Sequence, residues 1–209
     1  IPIIETMGLT ETGSQITTNP MPPAIRKIGS PGTAFGNEIM IADDTLAAVP
    51  TGKIGEILVR GANVMQGYLN QPEETAKTIS PDGWLRTGDL GYLDQDGYVF
   101  VSGRIKELII KGGENIAPRE IDEALLEHEA VLEAAAFAVP CENYGERVEA
   151  CIRLKEQMQA SASDLLAHCQ TRLGKFKSPD TIHILEDLPK GPSGKVQRLK
   201  LFGLVYPAE

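Results

Sequence analysis

Apolar and polar positions change rhythm along this chain. At positions 55–61, "GEILVRG", they alternate, and positions 97–103, "GYVFVSG", form a β-branched and aromatic run bounded by glycines; both predict strands. The intervening "LDQDGY" predicts a turn, because Asp96-Gly97 suits a pair that needs positive φ. "NQPEETAKTI" predicts a short helix, with Pro72 in its first turn and acids beside the positive helix N-terminus. Ile1 to Ile4 reads as a buried strand entered midway. The chain does not begin with Met, so it is expected to be cut from something longer.

From Ile105 the pattern alternates between strand and helix. Positions 105–110 predict a strand, and "APREIDEALLEH" a helix with Pro118 near its start and Ile121, Ala124, Leu125 and His128 at helical spacing. "VLEAAAFAVP" predicts a buried strand and "ERVEACIRL" an alternating one. "SASDLLAHCQTRL" predicts a helix with Ser161 and Asp164 at capping distance and Leu165, Leu166, Cys169 and Leu173 turned inward. "TIHIL" closes the strands and "VQRLKLFGLV" predicts a last short helix. A β-rich piece followed by an α+β piece implies a mixed α/β chain of two domains, joined near positions 103–106.

Bulk composition narrows the function. The chain has 209 residues, 42% of them hydrophobic, enough for a real core, and no apolar run long enough to span a membrane. The first residues lack the basic head and long apolar core of a signal peptide. Three cysteines without CxxC spacing point to a reducing cytoplasm rather than to disulfides or zinc. A net charge of −9 argues against nucleic acid as a partner. The charge is uneven, however: positions 172–200 hold seven Lys or Arg against three Asp or Glu. Within them lies "LPKGPSGKVQRLK", whose Gly and Pro content predicts a mobile surface loop over 189–194 with Lys195 at its far end. Such a lysine is suited to meet a phosphate or carboxylate, although a solvated basic face would look the same.

Other short runs carry candidate chemistry. In "GLTETG", Thr10 offers a hydroxyl to a phosphate and Glu11 a hard oxygen of the kind Mg²⁺ prefers, although a plain turn would use the same residues. In "GWLRTGDLGYLD", Asp89 after a tight Thr-Gly turn can accept two hydrogen bonds from a ribose diol, or simply satisfy its own turn. Arg104 ends a strand where a cation can engage a ribose or phosphate. Gly112-Gly113 would let another molecule pass close to the backbone, or serve as an ordinary turn.

Read in order, "MGLTE", "GEILVRGANVMQGY", "WLRTGD", "GRIKELIIKGGENIAPREID" and "LPKGPSGKVQR" resemble the successive signature segments of the adenylate-forming enzymes. That family includes acyl- and aryl-CoA synthetases, amino-acid adenylation domains and firefly luciferase. The resemblance implies that positions 1–104 are the β-rich, distorted-barrel end of a truncated large domain. Positions 105–209 would be a mobile α+β domain turning about Lys106. It implies ATP, Mg²⁺ and CoA, with Met7 and Gly8 beside the nucleotide, Thr10 on phosphate and Glu11 on Mg²⁺. Asp89 would hold the ribose with help from Arg104. Lys195 would bridge the substrate carboxylate and the α-phosphate, and the Gly112-Gly113 region would line the tunnel for the thiol arm of CoA.

Met7 departs from the family's usual Tyr, and the family's phosphate loop and most of its acyl pocket would lie upstream of this chain. "KGGENIAPREID" resembles the acyl/aryl-CoA synthetase version, and the flanking runs the oxalyl-CoA synthetase-like subgroup, so a small carboxylic or dicarboxylic acid is expected, with fatty and aromatic acids left open. Acetylation of Lys195 would remove the charge used in the first step. A catalytically silent nucleotide- or partner-binding module, a luciferase- or peptide-synthetase-type adenylation domain, and a homodimer all remain open.

Overall fold

The computed structural model describes residues 3–207, in two compact units, Ile1–Ile105 and Lys106–Glu209. The first is built from antiparallel neighbours. β1 (Thr6–Gly8), β2 (Gln15–Thr18) and β3 (Thr33–Ala34) form one sheet in that order. β4 (Glu38–Ala42), β5 (Gly55–Arg60) and, after α1 (Pro72–Thr78), β6 (Leu85–Leu93) and β7 (Val99–Arg104) form a second. The sheets are joined where the Val99 amide donates to the Gly32 carbonyl at 2.9 Å. Only glycine fits there: its φ is 95°, and a Cβ would lie 2.0 Å from the Thr18 carbonyl. Ile41, Ile57 and Val99 are the buried centre of this unit, with Met7, Ile39, Val49, Leu93 and Val101 packed against them.

The second unit is a sheet covered on both faces. β8 (Ile109–Lys111) and β9 (Glu114–Ile116) form a hairpin, followed by α2 (Pro118–Leu126). β10 (Val131–Cys141) and β11 (Gly145–Leu154) pair over their whole length. α3 (Ala162–Lys177) leads to β12 (Thr181–Ile184), which joins β11 in parallel, and α4 (Leu201–Val205) ends the unit. Ala136, Val148, Ala150 and Ile152 face Ile121 and Leu125 of α2 and Leu165 and Cys169 of α3. Ala135, Phe137, Val139 and Cys151 point the other way, onto Leu188 and Leu201. This double cover explains why β11 is buried continuously from Val148 to Ile152, although its alternation predicts one wet face.

Four expectations need correction. Of the strand expected at 1–4, Ile1 and Pro2 lie outside the described residues, while Ile3 is exposed and the pairing with β2 starts only at Thr6. Positions 105–110 are a 3₁₀ turn over Ile105–Glu107 and then β8, since an apolar run this short has no fixed period. "WLRTGD" runs into β6 from Leu85 onward, and its Thr-Gly turn is a register shift inside the β5–β6 pairing. The last helix is shorter than expected: a 3₁₀ turn over Arg198–Lys200, then α4. α3 loses helical backbone at Gly174, with φ of 73°, one residue past the predicted end.

Candidate functional site

Glu11 is held from two sides. It sits in a 3₁₀ turn over Thr10–Thr12 that follows β1. Gly8 lets that turn close, because a Cβ there would lie 2.4 Å from the Ser14 carbonyl oxygen. Thr12 is buried and locks the turn: its Oγ1 accepts from the Leu9 amide at 3.2 Å and lies within 3.0 Å of the Leu9 and Ser14 carbonyl oxygens. The Met65 amide donates to the Glu11 carbonyl at 2.8 Å, and the Tyr68 hydroxyl to Glu11 Oε1 at 2.9 Å. Tyr68 is placed in turn by Thr75 of α1, whose Oγ1 accepts from the Tyr68 amide at 2.9 Å. The hydrogen bond to the Glu11 carboxylate, helped by burial, holds the Tyr68 phenol protonated above its ordinary range. Thr10 stands exposed at the start of the turn. Met7 is half-buried against the apolar centre of the unit.

Asp89 and Arg104 are brought together by strand register. They are Cα partners in the β6–β7 pairing, and Arg104 Nε donates to Asp89 Oδ1 at 2.8 Å. Asp89 is buried, whereas the Arg104 side chain is 59% exposed. Glu56, buried on β5, shapes the approach to Asp89: its carboxylate accepts from the Gly88 amide at 3.0 Å and from Arg86 Nε at 2.9 Å. Gly88 takes φ of 71° at this point, and Thr87 Oγ1 accepts from the Asp89 amide at 3.0 Å.

The remaining sequence candidates lie in the second unit. Lys106 is exposed in the 3₁₀ turn that opens it. Gly112 and Gly113 are the two-residue turn of the β8–β9 hairpin, with φ of 59° and 85°, as a type I′ turn demands. The Gly112 amide donates to the Tyr144 carbonyl at 2.8 Å.

The stretch around Lys195 is a closed turn. Lys190 and Val196 form a β-bridge, the Gly191 amide donates to the Lys195 carbonyl at 2.8 Å, and the Gln197 amide to the Pro189 carbonyl at 2.7 Å. Leu188 and Val196 at its base are anchored in the apolar face below β10 and β11. Most neighbouring cations are already paired: Arg172 with Glu127, Lys177 with Glu120, Lys190 with Glu133 and Asp187, and Arg198 with Asp122 and Glu107. Lys195 is exposed and makes none of the ion pairs found among the described residues. Lys175 and Lys200 are likewise exposed and outside these pairs, but within the turn itself Lys190 is paired and Lys195 is the lysine presented outward.

Tyr68, Glu56 and Arg198 do not stand out in the sequence. Tyr68 falls inside a run already singled out, but its partner lies 57 positions away, a pairing that spacing does not reveal.

Among the described residues, no group of three or more His, Cys, Asp or Glu could hold a metal ion, and no helix is long and apolar enough to cross a membrane. Residues 1–69 match the AMP-binding enzyme family and residues 120–195 the AMP-binding enzyme C-terminal domain. The chain is 51% identical to sulfoacetate–CoA ligase of Cupriavidus necator over 96% of its length, covering 40% of that protein. It is 40% identical to oxalate–CoA ligase of Saccharomyces cerevisiae over 94% of its length, covering 36% of that protein. The structure of o-succinylbenzoate CoA synthetase from Bacillus subtilis, in complex with its acyl-adenylate intermediate, matches 96% of this chain with a TM-score of 0.86 and 39% identity; the match covers 41% of that structure. The chain thus spans about two-fifths of the length of the curated relatives it matches.

Proposed function

We propose, for a chain that belongs to the AMP-binding enzyme family, that it is the C-terminal portion of an AMP-forming acid–CoA ligase. The observation that carries this reading is the closed turn that presents Lys195 while the cations flanking it, Lys190 and Arg198, are held in ion pairs. The acid's carboxylate attacks the α-phosphate of ATP, the bond to pyrophosphate breaks, and an acyl-adenylate results. The CoA thiolate then attacks the acyl carbon and AMP leaves. Lys195 meets the negative charge that builds up between carboxylate and α-phosphate, where a preformed cation stabilises the transition state. Asp89, with Arg104 beside it, accepts from the ribose hydroxyls, and Thr10 donates to a phosphate oxygen. Met7 and Gly8 lie against the base. Rotation about Lys106 withdraws Lys195 after the first step and brings the Gly112-Gly113 turn to the thiol arm.

Mg²⁺ fits Glu11 as one ligand among several. A single hard carboxylate, oriented by Tyr68, is the donor set of a magnesium ion shared with substrate phosphates. The ion, when bound, neutralises phosphate charge. The acid is expected to carry a second anionic group, since sulfoacetate, oxalate and 2-succinylbenzoate, named for the relatives, all do.

The test is acid-dependent pyrophosphate release from Mg-ATP by a protein of the relatives' length that carries this chain. The panel includes oxalate, sulfoacetate, malonate, benzoate and long fatty acids. Release is expected with a small dianion, and Lys195→Ala should lower it about 10²–10³-fold while sparing thioester formation from supplied acyl-adenylate. Equal loss of both half-reactions would remove the role given to Lys195. No release with any acid would favour a silent nucleotide-binding module.

A further inference from the structure

We propose that Arg198 is a positioning residue for the adenylation step, clamped by Asp122 and Glu107 so as to fix the base of the turn that carries Lys195. This rests on the reading of Lys195 given above, and deepens it.

Arg198 follows Lys195 by three residues and directly succeeds Gln197, whose amide makes the last hydrogen bond of the turn. Its guanidinium is used on three sides. Nη2 donates to Asp122 Oδ2 at 2.6 Å and Nη1 to Asp122 Oδ1 at 3.3 Å, Nε donates to Glu107 Oε2 at 3.1 Å, and Nη1 also donates to the Ala136 carbonyl. Asp122 is itself tied to the sheet, because its Oδ1 accepts from the Ala136 amide at 2.6 Å. One side chain therefore locks the residue after the turn to α2, to the middle of β10 and to the residue that follows Lys106.

The burial of this clamp distinguishes it from an ordinary surface pair. The side chains of Arg198 and Asp122 are 14% and 12% exposed. Burial pushes the Asp122 carboxyl above its ordinary range, with Arg198 the main opposing influence. A buried ion pair gives little net stability over a well-packed apolar pair, but its fork geometry allows only one arrangement. The other end of the turn is held more loosely: Lys190 reaches Glu133 at 3.0 Å and Asp187 at 2.9 Å, with the Asp187 side chain 67% exposed. Fixing the turn matters because a misplacement of about 1 Å in a catalytic group can cost about 100-fold in rate.

The experiment compares Arg198→Ala and Arg198→Lys with the parent protein of the relatives' length. It measures acid-dependent pyrophosphate release, thioester formation from supplied acyl-adenylate and CoA, and amide hydrogen exchange at Gly191, Gly194 and Gln197. Arg198→Ala is expected to lower kcat for adenylation about 10- to 100-fold, with the KM for ATP and the thioester half-reaction largely unchanged. Exchange at the three turn amides should accelerate while the β10–β11 amides hold. Arg198→Lys, which keeps the charge and loses the fork, should fall between. If Arg198→Ala does not fold, Arg198→Lys and Asp122→Asn carry the same comparison. Equal loss of both half-reactions, or unchanged exchange in the turn, would overturn the proposal. Absence of adenylate formation in the parent would instead remove the ligase reading, and the exchange data would still decide whether Arg198 fixes the turn.

Discussion

Cys151 and Cys169 show how burial sets the chemistry of single residues. Both are fully buried, and desolvation pushes each thiol up to about 11, so almost no thiolate exists near neutral pH. Cys141, at the end of β10, is partly exposed. A thiol-reactive reagent at pH 8 should label Cys141 readily in the native chain, and Cys151 and Cys169 only after denaturation. Fast native labelling of either buried cysteine, located by peptide mapping, would mean that β11 or α3 opens locally. The sequence gives the number of thiols but not which of them is reachable, because β11 looks one-sided until α4 and Leu188 are seen to cover its second face. The same limit applies to the site. Thr10, Glu11, Asp89, Arg104 and Lys195 could be singled out because their residue types and local turns carry the signal. Glu56, Tyr68 and Arg198 could not, since each acts through a partner 30 or more positions away.

Elements were legible where an end signal reinforced a period. α3 has both: Ser161 Oγ accepts from the Asp164 amide at 3.1 Å, Asp164 Oδ2 accepts from the Ser161 amide at 3.4 Å, and Gly174 ends the regular helix. Ser161→Ala should therefore destabilise the second unit by about 1 kcal/mol, read as a lower urea midpoint at unchanged slope. An unchanged midpoint would show that packing of Leu165 and Cys169 alone holds the helix start. Where no end signal existed, the reading failed. The run 105–110 has neither cap nor clear alternation, and the chain there takes a 3₁₀ turn before β8. The Thr-Gly pair at 87–88 was legible as a turn but not as an irregularity within a strand, because Glu56 on the neighbouring strand creates it.

At the scale of the whole molecule, net charge says little about stability, whereas the pairing of individual charges says how stability varies with pH. Hydrogen bonds hold several carboxyls below their ordinary range: Glu38 through Arg60, Asp43 through Thr45, Asp82 through Ser80, Asp94 through Lys27, Asp164 through Ser161 and Asp187 through Lys190. Each contributes stability above the unfolded carboxyl value of about 4, and loses it as pH falls through the lower folded value. Lys27 and Lys190 are raised by hydrogen bonds to Asp94 and Asp187 respectively. Their contribution is present below the unfolded lysine value of about 10.4 and is lost as pH rises through the folded value. Asp122 runs the other way: burial raises it, so its contribution is present below the unfolded carboxyl value and is lost as pH rises through the higher folded value. The six depressed carboxyls are distributed over both units and outnumber this one opposing group. The urea midpoint of the 209-residue chain should therefore be flat through neutrality, fall below about pH 4, and fall again from about pH 8.5, where the unfolded thiols of Cys151 and Cys169 ionise while the buried ones stay protonated up to about 11. High salt should flatten the acid limb, because the pairs at Lys27, Arg60 and Lys190 are open to solvent and screened. It should leave most of the alkaline limb, which desolvation of the buried thiols sets. A midpoint that rises below pH 4 would mean that Asp122, buried against Arg198, outweighs the surface pairs and that protonating it relieves the fold.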